Sequence, residues 1–142
     1  MEPSLQFFIR LAGIGQITLA IGSLVIPKML HWQQELDKVR PLIKQMFWTY
    51  AAYILVINLC FGLVSLFAYR DLTNGSMLAT LIDGFIAVYW ISRVLIQFLY
   101  FDRSDFPNGQ LHKLGEAVLV LLFIGLSIVY GYAFYSTLKQ LY

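Results

Sequence analysis

Apolar residues run along this chain in four long blocks, separated by short polar connections. The blocks are roughly Phe7–Leu30, Leu42–Ala68, Met77–Phe101 and Leu114–Leu138. Each approaches or exceeds the ~20 residues that cross ~30 Å of hydrocarbon at ~1.5 Å per residue. None alternates apolar and polar positions over ~10 residues, as the strands of a membrane barrel do. The pattern predicts an all-α membrane protein: a four-transmembrane-helix antiparallel bundle, forming a single integral membrane domain over residues 1–142.

The connections carry their own signals. In the first, His31 to Arg40 puts Trp32, Leu36 and Val39 at helical spacing with charges opposite. That predicts a short interfacial helix between spans one and two. Pro41 then suits the first turn of span two. The second connection, Arg70 to Gly75, is short and contains Asn74-Gly75 as turn chemistry. The third, Asp102 to Gly109, is again rich in turn residues.

Charge along the connections predicts an orientation. Connections one and three share a side and hold Lys28, Lys38, Arg40, Lys44, Arg103 and Lys113, against Arg10, Arg70 and Lys139 on the other. The positive-inside rule makes the first side cytoplasmic, with both termini outward. The N-terminal Met-Glu-Pro-Ser lacks the basic region of a cleaved signal peptide, so the first span is expected to stay in the protein.

Composition agrees with the blocks and narrows the chemistry. The chain is 59% hydrophobic and 13% charged, with mean hydropathy +0.70. Soluble domains carry about 25% charged residues. A net charge of +2 argues against a nucleic-acid partner. The single cysteine, Cys60, excludes an intramolecular disulfide and a dithiol relay. No motif points to a cofactor or a metal. His31 and His112 lie at span ends without a haem motif, and the Asp102–Asn108 loop lacks the spacing of a calcium loop.

Helical spacing collects polar and small residues on one face of each span. Span one offers Gln6, Arg10, Gly13, Gln16, Ala20 and Ser23; span two offers Ala51, Asn58, Gly62 and Ser65. In span three, Asp83, Trp90, Arg93, Gln97 and Tyr100 fall within about 100° of arc. In span four, His112, Glu116, Phe123, Ser127, Tyr130 and Phe134 fall within about 60°. These faces should turn toward one another, because lipid offers polar groups no partner. Charges at membrane depth are costly, so two pairings are expected: Arg93 with Glu116, and Arg10 with Asp83.

The candidate site follows from that arrangement. Trp90, Arg93, Gln97, Tyr100, His112 and Glu116 gather charge, hydrogen-bonding groups and aromatic surface in one half of the membrane. They predict a polar pocket for an amphipathic molecule such as a quinone, sterol or lipid headgroup.

The length and four-span plan are similar to those of DoxX-type membrane proteins. Arg10 opening span one, and Gly62-Leu63-Val64-Ser65-Leu66-Phe67 ending span two before a short turn, carry the resemblance. Arg93 departs from it, and no activity is carried over.

Three functions compete. The chain is nearly all span, which favours a subunit or accessory partner of a membrane complex, or a homo-oligomer, with the polar pocket taking a lipid-like molecule. A membrane enzyme using Glu116 or His112 for proton transfer and Arg93 as electrostatic stabiliser is the first alternative. Proton or small-ion transport is the second.

Overall fold

A computed structural model describes residues 3–100 and 110–142, with side chains described over 4–100 and 113–142. The described residues are helical, without strands. Helix α1 spans Pro3–Gly22, α2 Ile26–Met29, α3 Trp32–Leu36, α4 Pro41–Phe67, α5 Met77–Leu99 and α6 Gln110–Leu141. Four helical stretches are long and apolar enough to cross a membrane: Ser4–Met29, Pro41–Phe67, Met77–Leu99 and Lys113–Leu141. They match the four apolar blocks of the sequence and are those of a multi-pass membrane protein. The third connection, including residues 101–109, and the His112 side chain lie outside the described residues.

The first span changes its winding before it ends. Pro27 has no N–H to donate to the Ser23 carbonyl, and its ring crowds that turn. The chain tightens into a 3-10 turn over Ser23–Val25, where the Ser23 hydroxyl donates back to the Ala20 carbonyl at 2.7 Å. Helix α2 then completes the span with Pro27 in its first turn.

The first connection is less helical than its spacing predicts. His31 adopts the left-handed conformation (φ 54°, ψ 44°) and breaks the chain between α2 and α3. Histidine visits this region more readily than most residues with a Cβ. Helix α3 has only five residues; Lys38 and Val39 follow in turns that bond back to Glu35 and Leu36. Trp32 packs edge-on against Phe47 at 4.8 Å and Trp48 at 5.8 Å, anchoring α3 on the first turns of α4. Ion pairs Lys44–Asp37 (2.6 Å) and Lys38–Glu35 (3.2 Å) fasten the same corner.

The second connection is a built turn. The backbone N–H of Ser76 donates to Asn74 Oδ1 at 2.9 Å, and Gly75 takes φ +78°. Ser76 caps α5 by accepting the Ala79 N–H at 3.1 Å. Leu72 and Thr73 are buried beneath the turn.

Two helix pairs make the bundle. α1 packs along α4, and α5 along α6; α1 also touches α6. Gly13 and Gly62 set the first pair. A Cβ on Gly13 would lie 2.8 Å from the Gly62 carbonyl oxygen, and one on Gly62 would lie 2.7 Å from Ile17 Cγ1. Only hydrogen fits, so the backbones approach closely, as small residues permit in membranes. In the second pair, Gly84 leaves room for the Phe134 ring. The core gathers Leu5, Ile9 and Ala12 from α1, Ile86, Ala87 and Trp90 from α5, and Phe123, Leu126, Tyr130 and Ala133 from α6. The outward faces are apolar too: Phe7, Leu42, Leu81, Phe85 and Leu121 are all exposed. Helices apolar on every side belong in lipid.

Candidate functional site

Four polar side chains meet in the bundle interior, one from each long helix. They are Gln16 on α1, Ser65 on α4, Trp90 on α5 and Tyr130 on α6, and each is fully buried. Helical spacing brings them there. On α5, Ala79, Asp83, Ile86, Trp90 and Gln97 recur at intervals of three, four and seven residues on the buried face. On α6, Phe123, Leu126, Tyr130, Ala133 and Thr137 do the same.

The hydrogen bonds among them close almost completely. Trp90 donates its indole N–H to Gln16 Oε1 at 3.0 Å. The Gln16 amide donates to the Tyr130 hydroxyl at 2.6 Å and to the Ala12 carbonyl at 3.2 Å. The Tyr130 and Ser65 hydroxyls share a further bond. Both Gln16 amide hydrogens, its carbonyl, and the single Trp90 donor are therefore used. Networks of this kind fix helix register, because slipping one helix breaks bonds on the others.

Five of the six residues expected to form a pocket are described, and the structure divides them. Trp90 belongs to the tetrad and stacks on Phe123, ring centroids 5.4 Å apart. Arg93 is half-buried, with its guanidinium carbon 5.2 Å from the Phe123 ring centroid. Gln97 is buried. Glu116 is half-buried on α6. Tyr100, by contrast, is 82% exposed: it caps the C-terminus of α5, and by helical spacing it sits at the edge of the inward arc, about 100° from Asp83. Neither of two hollows on the described surface is lined by any of these residues.

The expected Arg10–Asp83 pair does not form. Arg10 is exposed, its guanidinium 4.9 Å from the Tyr69 ring centroid. It follows the buried Ile9 by one residue, about 100° around the helix and away from the core. A long cationic side chain can reach an aromatic face or the interface, and so needs no buried partner. Asp83 has no such freedom. It is fully buried, and neither carboxyl oxygen has a hydrogen-bond partner among the described residues.

A second polar contact ties α4 to α5. Tyr89 donates its hydroxyl to Asn58 Oδ1 at 2.6 Å. Its ring also meets Phe61 at 5.3 Å, and Phe61 meets Phe85 at 5.8 Å. Beside these rings lies a hollow of about 420 Å³ between α4 and α5, lined by apolar side chains and Cys60.

The tetrad draws on faces that sequence periodicity identifies, but its partners are not those that charge suggests. Gln16, Ser65 and Tyr130 are neutral, and nothing in their local sequence marks them above other polar residues on the same faces. No groups of three or more metal-binding side chains occur among the described residues. No protein-family model, curated protein or solved structure matches this chain.

Proposed function

We propose that this chain is a membrane subunit or accessory partner: an antiparallel four-span bundle that works by packing against a larger membrane complex or against copies of itself. The observation that carries this reading is the closure of its interior. Gln16, Ser65, Trp90 and Tyr130 spend their hydrogen bonds on one another, while apolar side chains cover the outside. Contacts run in opposite order along the paired helices, which supports the antiparallel plan: Gln6 approaches Thr73 and Gly13 approaches Gly62, while Gly84 meets Phe134 and Trp90 meets Phe123. Lys28, Lys38, Arg40 and Lys44 support, by the positive-inside rule, a cytoplasmic α3 end with both termini outside. The Trp32–Phe47–Trp48 cluster at that end suits an interfacial position.

Extraction in a mild detergent, followed by native mass spectrometry, tests this function. A stable partner or a homo-oligomer is the expected result. A monodisperse monomer carrying nothing from the native membrane would overturn it.

A second reading, an amphipathic ligand, is favoured by the hollow between α4 and α5 rather than by the six residues expected from sequence. Phe85, Tyr89 and Arg93 follow one another at four-residue spacing along α5. A lipid-like molecule would lay its apolar part against Phe61 and Phe85 and its polar end toward the Tyr89–Asn58 bond and Arg93. Phe85→Arg should then strip a lipid species that co-purifies with the native chain; an unchanged lipid profile would remove the idea.

A further inference from the structure

Asp83 is the one side chain in the described bundle that both polar bookkeeping and membrane energetics leave unexplained. It is fully buried, both carboxyl oxygens lack a partner among the described residues, and the accessory role does not use it. An isolated ionised carboxylate in such a place costs many kcal/mol and persists only against a cation or hydrogen-bond donors. Each source of relief is closed. Gln16 and Trp90 have committed their donors elsewhere. A partner protein's lysine or arginine cannot reach a side chain with no exposed surface. A transition metal would need further His, Cys, Asp or Glu ligands, and no group of three or more such side chains occurs among the described residues.

The polar and charged groups of the other elements of the bundle can be named in turn. Helix α6 contributes Tyr130, close enough for electrostatic interaction, with its hydroxyl already bonded to Gln16 and Ser65. Lys139, near the end of α6, is exposed. Helix α1 turns Gln16 inward but leaves Arg10 exposed against Tyr69. Helix α4 contributes Ser65 and Asn58, neither of which titrates. The turn after α4 buries Leu72 and Thr73 and leaves Arg70 and Asp71 exposed. No cation points at Asp83 from any of these elements.

We propose that Asp83 is a proton-binding site, its carboxyl carrying a proton inside the closed bundle and losing it only when the seam between the α1–α4 and α5–α6 pairs admits water. Binding is simple addition of a proton from water to one carboxylate oxygen. The acid then holds no charge, which removes the largest part of the cost of burying it.

Infrared spectroscopy of the full chain in lipid at neutral pH tests the proposal. The native protein should show the carbonyl stretch of an un-ionised carboxylic acid, shifted on exchange into heavy water and absent in Asp83→Asn. The same band in native protein carrying 13C-labelled aspartate should move with the isotope. That measurement needs no variant, and it separates Asp83 from Glu116. The other four aspartates fall outside the four apolar blocks of the sequence. An isotope-sensitive acid band that persists when the pH is raised well above the usual carboxylate range supports the site. Aspartate showing only carboxylate bands at neutral pH overturns it.

Discussion

Trp90 and Gln16 stand on different helices, and the indole N–H of one reaches the side-chain oxygen of the other at 3.0 Å in the centre of the bundle. Gln16 in turn reaches Tyr130, and Tyr130 reaches Ser65, so the four long helices are joined through four side chains. Two helix pairs that share little backbone contact are thereby held in one register.

The bond between Gln16 and Tyr130 should be measurable as coupling. Tyr130→Phe removes a hydroxyl that Gln16 and Ser65 both use and strands a buried amide hydrogen, at a cost of about 1–2 kcal/mol. Gln16→Leu should cost a similar amount by stranding the Trp90 N–H. Because the residues share a bond, the double variant should cost less than the sum, by about 0.6–1.7 kcal/mol. Unfolding in mixed detergent micelles reads all three. Strict additivity would mean that the bond contributes nothing to the folded state.

Close approach of α1 and α4 predicts a contrast between glycines. At Gly13 a methyl would sit 2.8 Å from both the Gly62 carbonyl oxygen and the Leu66 nitrogen, backbone atoms that cannot swing aside. Gly13→Ala should cost about 1–3 kcal/mol by overpacking. At Gly131 nothing lies within 4 Å of the added carbon. Gly131→Ala should be neutral, or stabilising by about 0.5–1 kcal/mol through helix propensity. Thermal unfolding in detergent compares them, and equal effects would show that α1 and α4 do not meet as described.

Cys60 reports membrane depth. It is seven residues before Phe67, so about 10 Å from the end of α4, and it is exposed on the helix surface. In intact vesicles a charged thiol reagent should leave it unmodified from either side, because a charged reagent does not enter hydrocarbon. After denaturation in detergent it should react fully. Rapid labelling in sealed vesicles would place this segment in water and sink the second span.

Much of this arrangement is legible in the sequence, and the reason is periodicity. Block length sets the four spans, and the 3.6-residue repeat turns Gln16, Ser65, Trp90, Asp83 and Tyr130 inward. Pairing is where sequence runs out. Opposite charges look like natural partners in a one-dimensional list, yet Arg10 lies one residue off the inward face and has an aromatic ring to lie on. Neutral groups make the central contacts instead, and their partners depend on the depth and rotation of each helix, which spacing along one helix does not encode. The exposure of Tyr100 and the bounds of α3 are hidden for a different reason. Both depend on where a helix ends, and a break such as the left-handed His31 is a local conformational choice that the apolar pattern does not mark.

Asp83 makes the last prediction, and it runs against the usual effect of altering a buried residue. Truncating a well-packed core side chain costs stability. Asp83, however, brings a carboxyl with no partner into the core, so removing it removes a penalty of about 1–3 kcal/mol for a buried unsatisfied polar group. Asp83→Ala also replaces a weak helix former with the strongest, worth about 0.5–0.7 kcal/mol. Against these stands the small void left by the lost carboxyl. The void is smaller than that of a leucine truncation, which costs about 2–5 kcal/mol. The balance favours the variant: Asp83→Ala should unfold at a higher temperature, or at a higher mole fraction of denaturing detergent, than the native chain. A drop of more than about 1 kcal/mol, within the range of a lost hydrogen bond, would show that the carboxyl stabilises the bundle. A gain would mean that the native protein keeps Asp83 at a cost to its own stability, which is expected of a group retained for function.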